Sequence, residues 1–218
     1  MIWLYTGTPG SGKSVHVAKD IYWKLRKPEW VFANFEINRD FFWDKKHKKN
    51  SQKGIFIERP NWKLNARWLI DFAKAYFSKD TKGRIIEGQA LLVIDECQLI
   101  FNAREWQAND RMEWTSFFTQ HRKLGYNIIL ITQFDRLIDR QIRSLVEYEV
   151  KHRKLNNYKL LGKICGLLLG GTAFMSITYW YGARERISSE MFAGKKYYEF
   201  YDSYKMFNEE KNPKAVKG

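Results

Sequence analysis

Gly7, Thr8, Pro9, Gly10, Ser11, Gly12, Lys13 and Ser14 stand in the pattern G-x-x-x-x-G-K-[ST], the spacing of a loop that wraps nucleotide phosphates. Its glycines let the main chain close on an anion. Successive N–H groups and the start of the next helix then point at that anion. In such a P-loop, Lys13 reaches the β- and γ-phosphates of ATP and the Ser14 hydroxyl ligates Mg²⁺. The alternative is an ordinary glycine-rich strand-to-helix turn. It does not account for every fixed position matching with both flanks correct.

Two further polar groups end apolar runs. Ala90-Leu91-Leu92-Val93-Ile94 runs into Asp95-Glu96. A run this apolar suits a parallel strand buried on both faces. Acids at its C-terminal end would sit where open α/β sheets bind ligands. Asp95 is the candidate for holding Mg²⁺, mainly through the ion's water shell. Glu96 is the candidate for orienting and deprotonating an attacking water. Asn127-Ile128-Ile129-Leu130-Ile131-Thr132 runs into Gln133, whose amide could sense the γ-phosphate or position that water. The bland readings of the same residues are a solvated acid and a loop-starting glutamine.

The elements that must carry these groups are legible in outline. Ile2-Trp3-Leu4-Tyr5 reads as the buried strand entering the loop. Val15, Ala18, Ile21, Tyr22 and Leu25 mark one face of the helix leaving it. Residues 30–35 read as a second strand. Asn65 is an N-cap for a helix carrying Ala66, Leu69, Ile70, Ala73 and Phe77. Another helix is expected over residues 110–124 with Gly125 as its stop, and a further one over 136–145. Residues 44–53 form a basic polar loop, either a solvated insertion or a DNA contact.

Strands alternating with helices over residues 1–150 predict an α/β P-loop NTPase core, a mostly parallel sheet flanked by helices. A small helix-and-strand extension is expected over 151–205 and a disordered tail over 206–218. An extra strand and helix separate the P-loop strand from the Asp95 strand, which suits additional-strand motor ATPases. Nucleotide kinases fit less well, because no arginine-rich lid segment is found.

The 218 residues carry 38 Lys+Arg against 24 Asp+Glu, a formal net charge of +14. That balance favours polyanionic partners, nucleic acid or an anionic membrane face, without choosing between them. Nine Trp and an aromatic content of 17% suit stacking platforms, membrane interfaces or simply a core. Cys97 and Cys165 have neither metal-type nor disulfide spacing, and Cys97 reads as a small buried neighbour of the acid pair. The N-terminus leads straight into the first strand, so no cleavable leader is expected, and a reducing cytoplasmic setting fits.

Gly7 to Ser14, Leu91 to Glu96, Thr119-Gln120-His121-Arg122, Ile131-Thr132-Gln133 and Tyr198-Glu199-Phe200-Tyr201-Asp202-Ser203-Tyr204 follow one another in a characteristic order. Together they resemble the N-terminal ATPase domain of the zonular occludens toxin family over about residues 1–205. This family includes the filamentous-phage assembly ATPases. The resemblance implies an ATP-driven machine at the inner membrane that helps extrude phage DNA as coat proteins assemble. Its core looks like that of ring-forming DNA translocases. Family members commonly continue into a transmembrane helix and an outer domain. Implied partners are phage or plasmid DNA, the anionic membrane face, further copies in a homo-oligomeric ring, and coat or export proteins.

Residues 164–183 hold no charged side chain for 20 positions, enough to span a bilayer in principle. Gly166, Gly170, Gly171 and Gly182 weaken that reading, and basic residues flank both ends. A short apolar helix followed by a strand over 172–181, packed on the core or lying at the membrane surface, is the preferred reading. Motors of this type commonly complete their site with an arginine from a neighbouring subunit. Arg143, then Arg122, is ranked for that role, with Arg140 sharing the Arg143 face and a solvated basic face as the alternative. Two function classes stay open. One is a motor ATPase. The other is a nucleotide-dependent switch, or a DNA- or membrane-anchoring protein, without processive work.

Overall fold

The sheet that places the candidate groups is built from short, almost wholly apolar strands. The computed structural model describes residues 1–44, 46–102, 108–155 and 172–201. In chain order the elements are β1 (Ile2–Thr6), α1 (Lys13–Leu25), β2 (Trp30–Ala33), the hairpin strands β3 (Trp43–Asp44) and β4 (Lys49–Asn50), β5 (Ile55–Glu58), α2 (Ala66–Tyr76) and β6 (Ala90–Ile94). They continue with α3 (Ala108–Gln120), β7 (Tyr126–Ile131), α4 (Arg140–Ser144), β8 (Tyr148–Lys154), β9 (Ala173–Trp180) and β10 (Glu185–Ala193).

Eight strands form one sheet in the order β10-β9-β8-β1-β7-β6-β2-β5. The six from β8 to β5 are parallel, and β9 and β10 add antiparallel strands at one edge. The fold is a P-loop α/β fold with a mostly parallel sheet. Its inserted strand is β7, which pairs with β1 on one side and β6 on the other. The tips of β1, β7 and β6, which lead to the P-loop, Gln133 and Asp95, therefore lie side by side at one edge.

Both faces of the sheet are covered, which is why the strands read as continuous apolar runs rather than alternating ones. Leu92, Ile94, Ile128 and Leu130 face α2, α3 and α4 together with Leu69, Trp114, Phe117, Phe118 and Ile142. Leu91, Val93, Ile129 and Ile131 face α1 together with Val17, Ile21 and Leu25. Phe174, Phe192, Tyr197 and Phe200 close that second core from the C-terminal side. Residue 150 lies inside β8, and β9 and β10 extend the same sheet rather than starting another. Cys97 is fully buried. Cys165, the apolar half of 164–183 before residue 172, and the tail from residue 202 lie outside the described residues. Among the described residues no helix is long and apolar enough to cross a membrane.

Local signals explain where helices match expectation and where they do not. Asn65 caps α2, its side chain accepting from Trp68 N at 2.8 Å. α3 ends at Gln120, five residues before the expected glycine stop. The chain there tightens into turns in which Gly125 N donates to Arg122 O and Tyr126 N to His121 O. The His121 ring nitrogen also donates to Phe118 O at 2.6 Å, taking a carbonyl of the last turn. Gly125, at φ +81, instead turns the chain into β7. The expected helix over 136–145 is divided. A single 3-10 turn spans Asp135–Leu137, and Asp139 then restarts the chain as an N-cap for α4, accepting from Gln141 N at 2.8 Å. The basic stretch 44–53 overlaps the β3–β4 hairpin, with His47 on the Asp44 carboxylate at 2.7 Å.

Candidate functional site

The P-loop leaves β1 at Thr6 and returns as α1 at Lys13. Two of its glycines are there by necessity. A Cβ on Gly7 would stand 2.6 Å from Ser11 Oγ and 2.8 Å from His152 O, and Gly7 has φ +146. A Cβ on Gly12 would stand 2.5 Å from the Phe174 ring, and Gly12 has the left-handed φ +100 as it opens α1. β9 therefore forms a wall of the loop. Thr8, Pro9 and Gly10 form the exposed crest, whereas Ser11, Gly12 and Lys13 are buried and Ser14 is half-buried. Ser11 Oγ is buried with no hydrogen-bond partner.

Lys13 Nζ donates to Gly7 O at 2.6 Å and to Thr8 O at 3.3 Å. Burial lowers its pKa, while Asp95 and Glu96 act in the opposite direction. The lysine thus lies in the field of the acid pair, as the chemistry requires. The tip of β7 is tied to the loop, with Gly7 N donating to Gln133 O at 3.4 Å.

Asp95 is buried, and burial raises its carboxyl above the usual carboxylate range against the pull of its hydrogen bonds. Oδ1 accepts from Glu96 N at 2.8 Å, and Oδ2 accepts from the Tyr201 hydroxyl. Asn34, one residue past β2, holds the Asp95 main chain: its Oδ1 accepts from Asp95 N and its Nδ2 donates to Asp95 O, each at 2.8 Å. Asn61 Oδ1 in turn accepts from Asn34 Nδ2 at 2.7 Å. Glu96 takes the left-handed conformation at φ 45, ψ 46, costing about 1 kcal/mol for a residue with a Cβ. Its carboxylate accepts from Gln98 Nε2.

Lys13, Ser14, Asp95, Glu96 and Gln133 are thus brought to one sheet edge. Arg122 is not. It lies in the turn leading into β7, at the N-terminal edge of the parallel strands, with its guanidinium on Glu87 at 3.1 Å. Arg143 lies on α4, with NH1 donating to Asp135 O at 3.4 Å. Sequence reasoning assigned no site role to Asn34, Gln98 or Tyr201. The signals present were Asn34, a polar side chain ending an apolar strand, and the tyrosine-rich ending that includes Tyr201, which carried the resemblance without a role.

A family model described as zonular occludens toxin (Zot) matches residues 1–167. The gene 1 protein of Enterobacteria phage I2-2 is 25% identical over 96% of this chain and 58% of its own length. The gene 1 protein of Enterobacteria phage M13 is 31% identical over 54% of this chain and 37% of its own length. The chain therefore spans less than two thirds of the phage proteins it matches. Among solved structures, the N-terminal domain of zonular occludens toxin from Neisseria meningitidis aligns with a TM-score of 0.53 at 19% identity, covering 92% of this chain and 98% of that one. The DNA-packaging ATPase from Sulfolobus turreted icosahedral virus aligns with a TM-score of 0.50 at 15% identity, covering 88% and 96%. Both show the same fold.

Proposed function

The chain belongs to the zonular occludens toxin family, and on that premise we propose that it is an ATP-hydrolysing motor driving filamentous-phage assembly or DNA export at the inner face of the membrane. The observation that carries this reading is the convergence of Lys13, Ser14, Asp95, Glu96 and Gln133 at one sheet edge, fed by three adjacent parallel strands.

The residues fit a nucleotide and its metal. The loop has no room for Cβ atoms at Gly7 and Gly12, and it carries the orphaned Ser11 hydroxyl where an anion would find donors. Ser14 and Asp95 would hold Mg²⁺, which when bound neutralises phosphate charge. Lys13 exchanges its carbonyl partners for β- and γ-phosphate oxygens. Glu96 takes the proton of the attacking water, and the Gln133 amide orients that water. Asn34 fixes the peptide that carries both acids, so neither has to reorganise when charge develops.

Beyond the single chain, the reading includes a homo-oligomeric ring in which Arg143 is offered to a neighbour's phosphates. The net charge of +14 would serve a DNA track or the anionic membrane face. The experiment that tests the reading measures ATP turnover alone, with DNA and with anionic vesicles, alongside native mass. Stimulated turnover with a ring-sized mass is the expected result. Nucleotide binding without turnover would replace the motor with the switch.

A further inference from the structure

The described part of the chain ends against Asp95, the proposed Mg²⁺ ligand. After β10, residues 195–201 run back across α1 and the exit of β2. Phe200, fully buried, packs edge-on against Tyr22, Phe41 and Phe42. Its carbonyl accepts from Asn38 N at 2.9 Å. Tyr197 packs beside it on Tyr22 and Phe41. These contacts deliver Tyr201 to the sheet edge, where its ring lies on Phe35 with centroids 3.9 Å apart and its hydroxyl donates to Asp95 Oδ2.

We propose that Tyr201 is a positioning residue for the Mg²⁺-binding carboxylate, so that the C-terminal segment sets the orientation of Asp95. This rests on the ATPase reading above. A carboxylate oxygen has two lone pairs. Oδ1 commits one to Glu96 N and Oδ2 commits one to Tyr201. The two bonds together fix the rotation of the carboxylate plane, and the remaining lone pairs would be available to the water shell of a bound Mg²⁺. With the hydroxyl removed, the Glu96 bond is the one that remains among the described residues, and the plane is free to turn in its buried pocket. The residues proposed to contact phosphate, Lys13 and the loop main chain, are not among those that Tyr201 holds. The inference therefore separates two affinities, that for nucleotide alone and that for the metal.

The test uses the full chain with Tyr201→Phe, which keeps the ring on Phe35. Binding of ATPγS is measured in EDTA and across a Mg²⁺ series, and Mn²⁺ uptake by the nucleotide-bound chain is followed by electron paramagnetic resonance. Nucleotide affinity in EDTA should equal that of the wild type. The Mg²⁺ concentration for half-maximal effect should rise about tenfold, the loss of one hydrogen bond to a charged group. An unchanged Mg²⁺ dependence overturns the proposal. So does tighter metal binding, because the hydroxyl would then be competing with the ion. If Tyr201→Phe does not fold, ¹⁹F resonances of the 3-fluorotyrosine-labelled chain, with Tyr201 assigned, replace it. The 201 signal must shift on adding Mg²⁺ to the nucleotide complex, and a stationary signal overturns the proposal. A wild-type chain that binds no nucleotide in either buffer overturns the ATPase reading, and this inference with it.

Discussion

The Asn34 side chain grips the Asp95 peptide from both sides, accepting from its N–H and donating to its carbonyl at 2.8 Å each. β2 and β6 pair in parallel register up to Ala33 and Val93. Past that point the side chain takes over the ladder's role and fixes the acid pair. Asn34→Leu keeps the branched outline, removes both bonds together with the one to Asn61, and strands two buried backbone groups. The expected cost is about 3 kcal/mol in urea denaturation. ATP turnover, measured where the variant is still folded, should fall at least roughly tenfold because the acid pair loses its anchor. Wild-type stability would show that the two bonds contribute nothing net.

The separation between Asn34 and Asp95 also explains what a reading of the sequence can and cannot reach. Lys13, Ser14 and the loop glycines are legible because their chemistry needs them within eight consecutive positions. Asp95 and Glu96 are legible because an apolar run ends on them. Asn34 lies 61 residues from Asp95, and Tyr201 lies 106 from it. No local periodicity encodes either contact; only the strand order and the return of residues 195–201 create them. The same limit applies to helix ends. Gly125 looks like a stop, but the histidine contact on Phe118 O closes α3 earlier.

Lys13 and Glu96 should fail in different ways. Lys13→Ala removes the ammonium proposed to neutralise phosphate charge, so nucleotide binding itself should be lost or weakened by about 100-fold or more. Glu96→Gln keeps the shape and should bind nucleotide normally while turnover drops roughly 10²–10⁴-fold, the span of a lost general base. Filter binding and single-turnover hydrolysis on both variants separate the roles. Turnover of Glu96→Gln at the wild-type rate would remove Glu96 as the base.

Behind the P-loop, His16 Nδ1 and His152 Nε2 share one proton at 2.8 Å, both rings buried against Tyr5. Burial, and after it the neighbouring His16, holds the His152 imidazole down to about 3 from its ordinary 6.5. His16 is lowered too, chiefly by burial. A histidine with a depressed folded pKa stays neutral in the native state while the unfolded chain takes up the proton. Stability is therefore full above the ordinary value and falls as pH drops from 6.5 toward 3. The buried Asp20 carboxyl, raised by burial, works in the opposite direction. The isolating comparison is wild type against His152→Gln in urea melts from pH 7 to 4.5. The wild type should lose about 2 kcal/mol more than the variant over that range. Parallel pH profiles would mean the pair does not titrate with folding.

Arg143 lies on α4. In its own chain the guanidinium contacts Asp135 O, and Asp135 Oδ2 also accepts from the Tyr181 hydroxyl at 3.0 Å. This small cluster holds α4 against the end of β9 and leaves Arg143 half-exposed. Arg122 is on the far edge of the sheet, engaged with Glu87. In a head-to-tail ring each interface sets one subunit's phosphate loop against another face of its neighbour. If Arg143 serves that neighbour, Lys13→Ala and Arg143→Ala are each inactive alone and complement when mixed. In equal mixtures roughly a quarter of interfaces then join an intact loop to an intact arginine, so about that share of the turnover should return. Mass spectrometry of the mixed rings establishes that subunits exchange. Exchange without any return of turnover, or full activity in Arg143→Ala alone, would leave Arg143 as an anchor for α4 with no part in hydrolysis. Arg143→Lys adds a second readout. Lysine keeps the charge but loses the planar fork, so a phosphoryl-stabilising arginine should not be rescued by it, whereas a merely solvated cation should be.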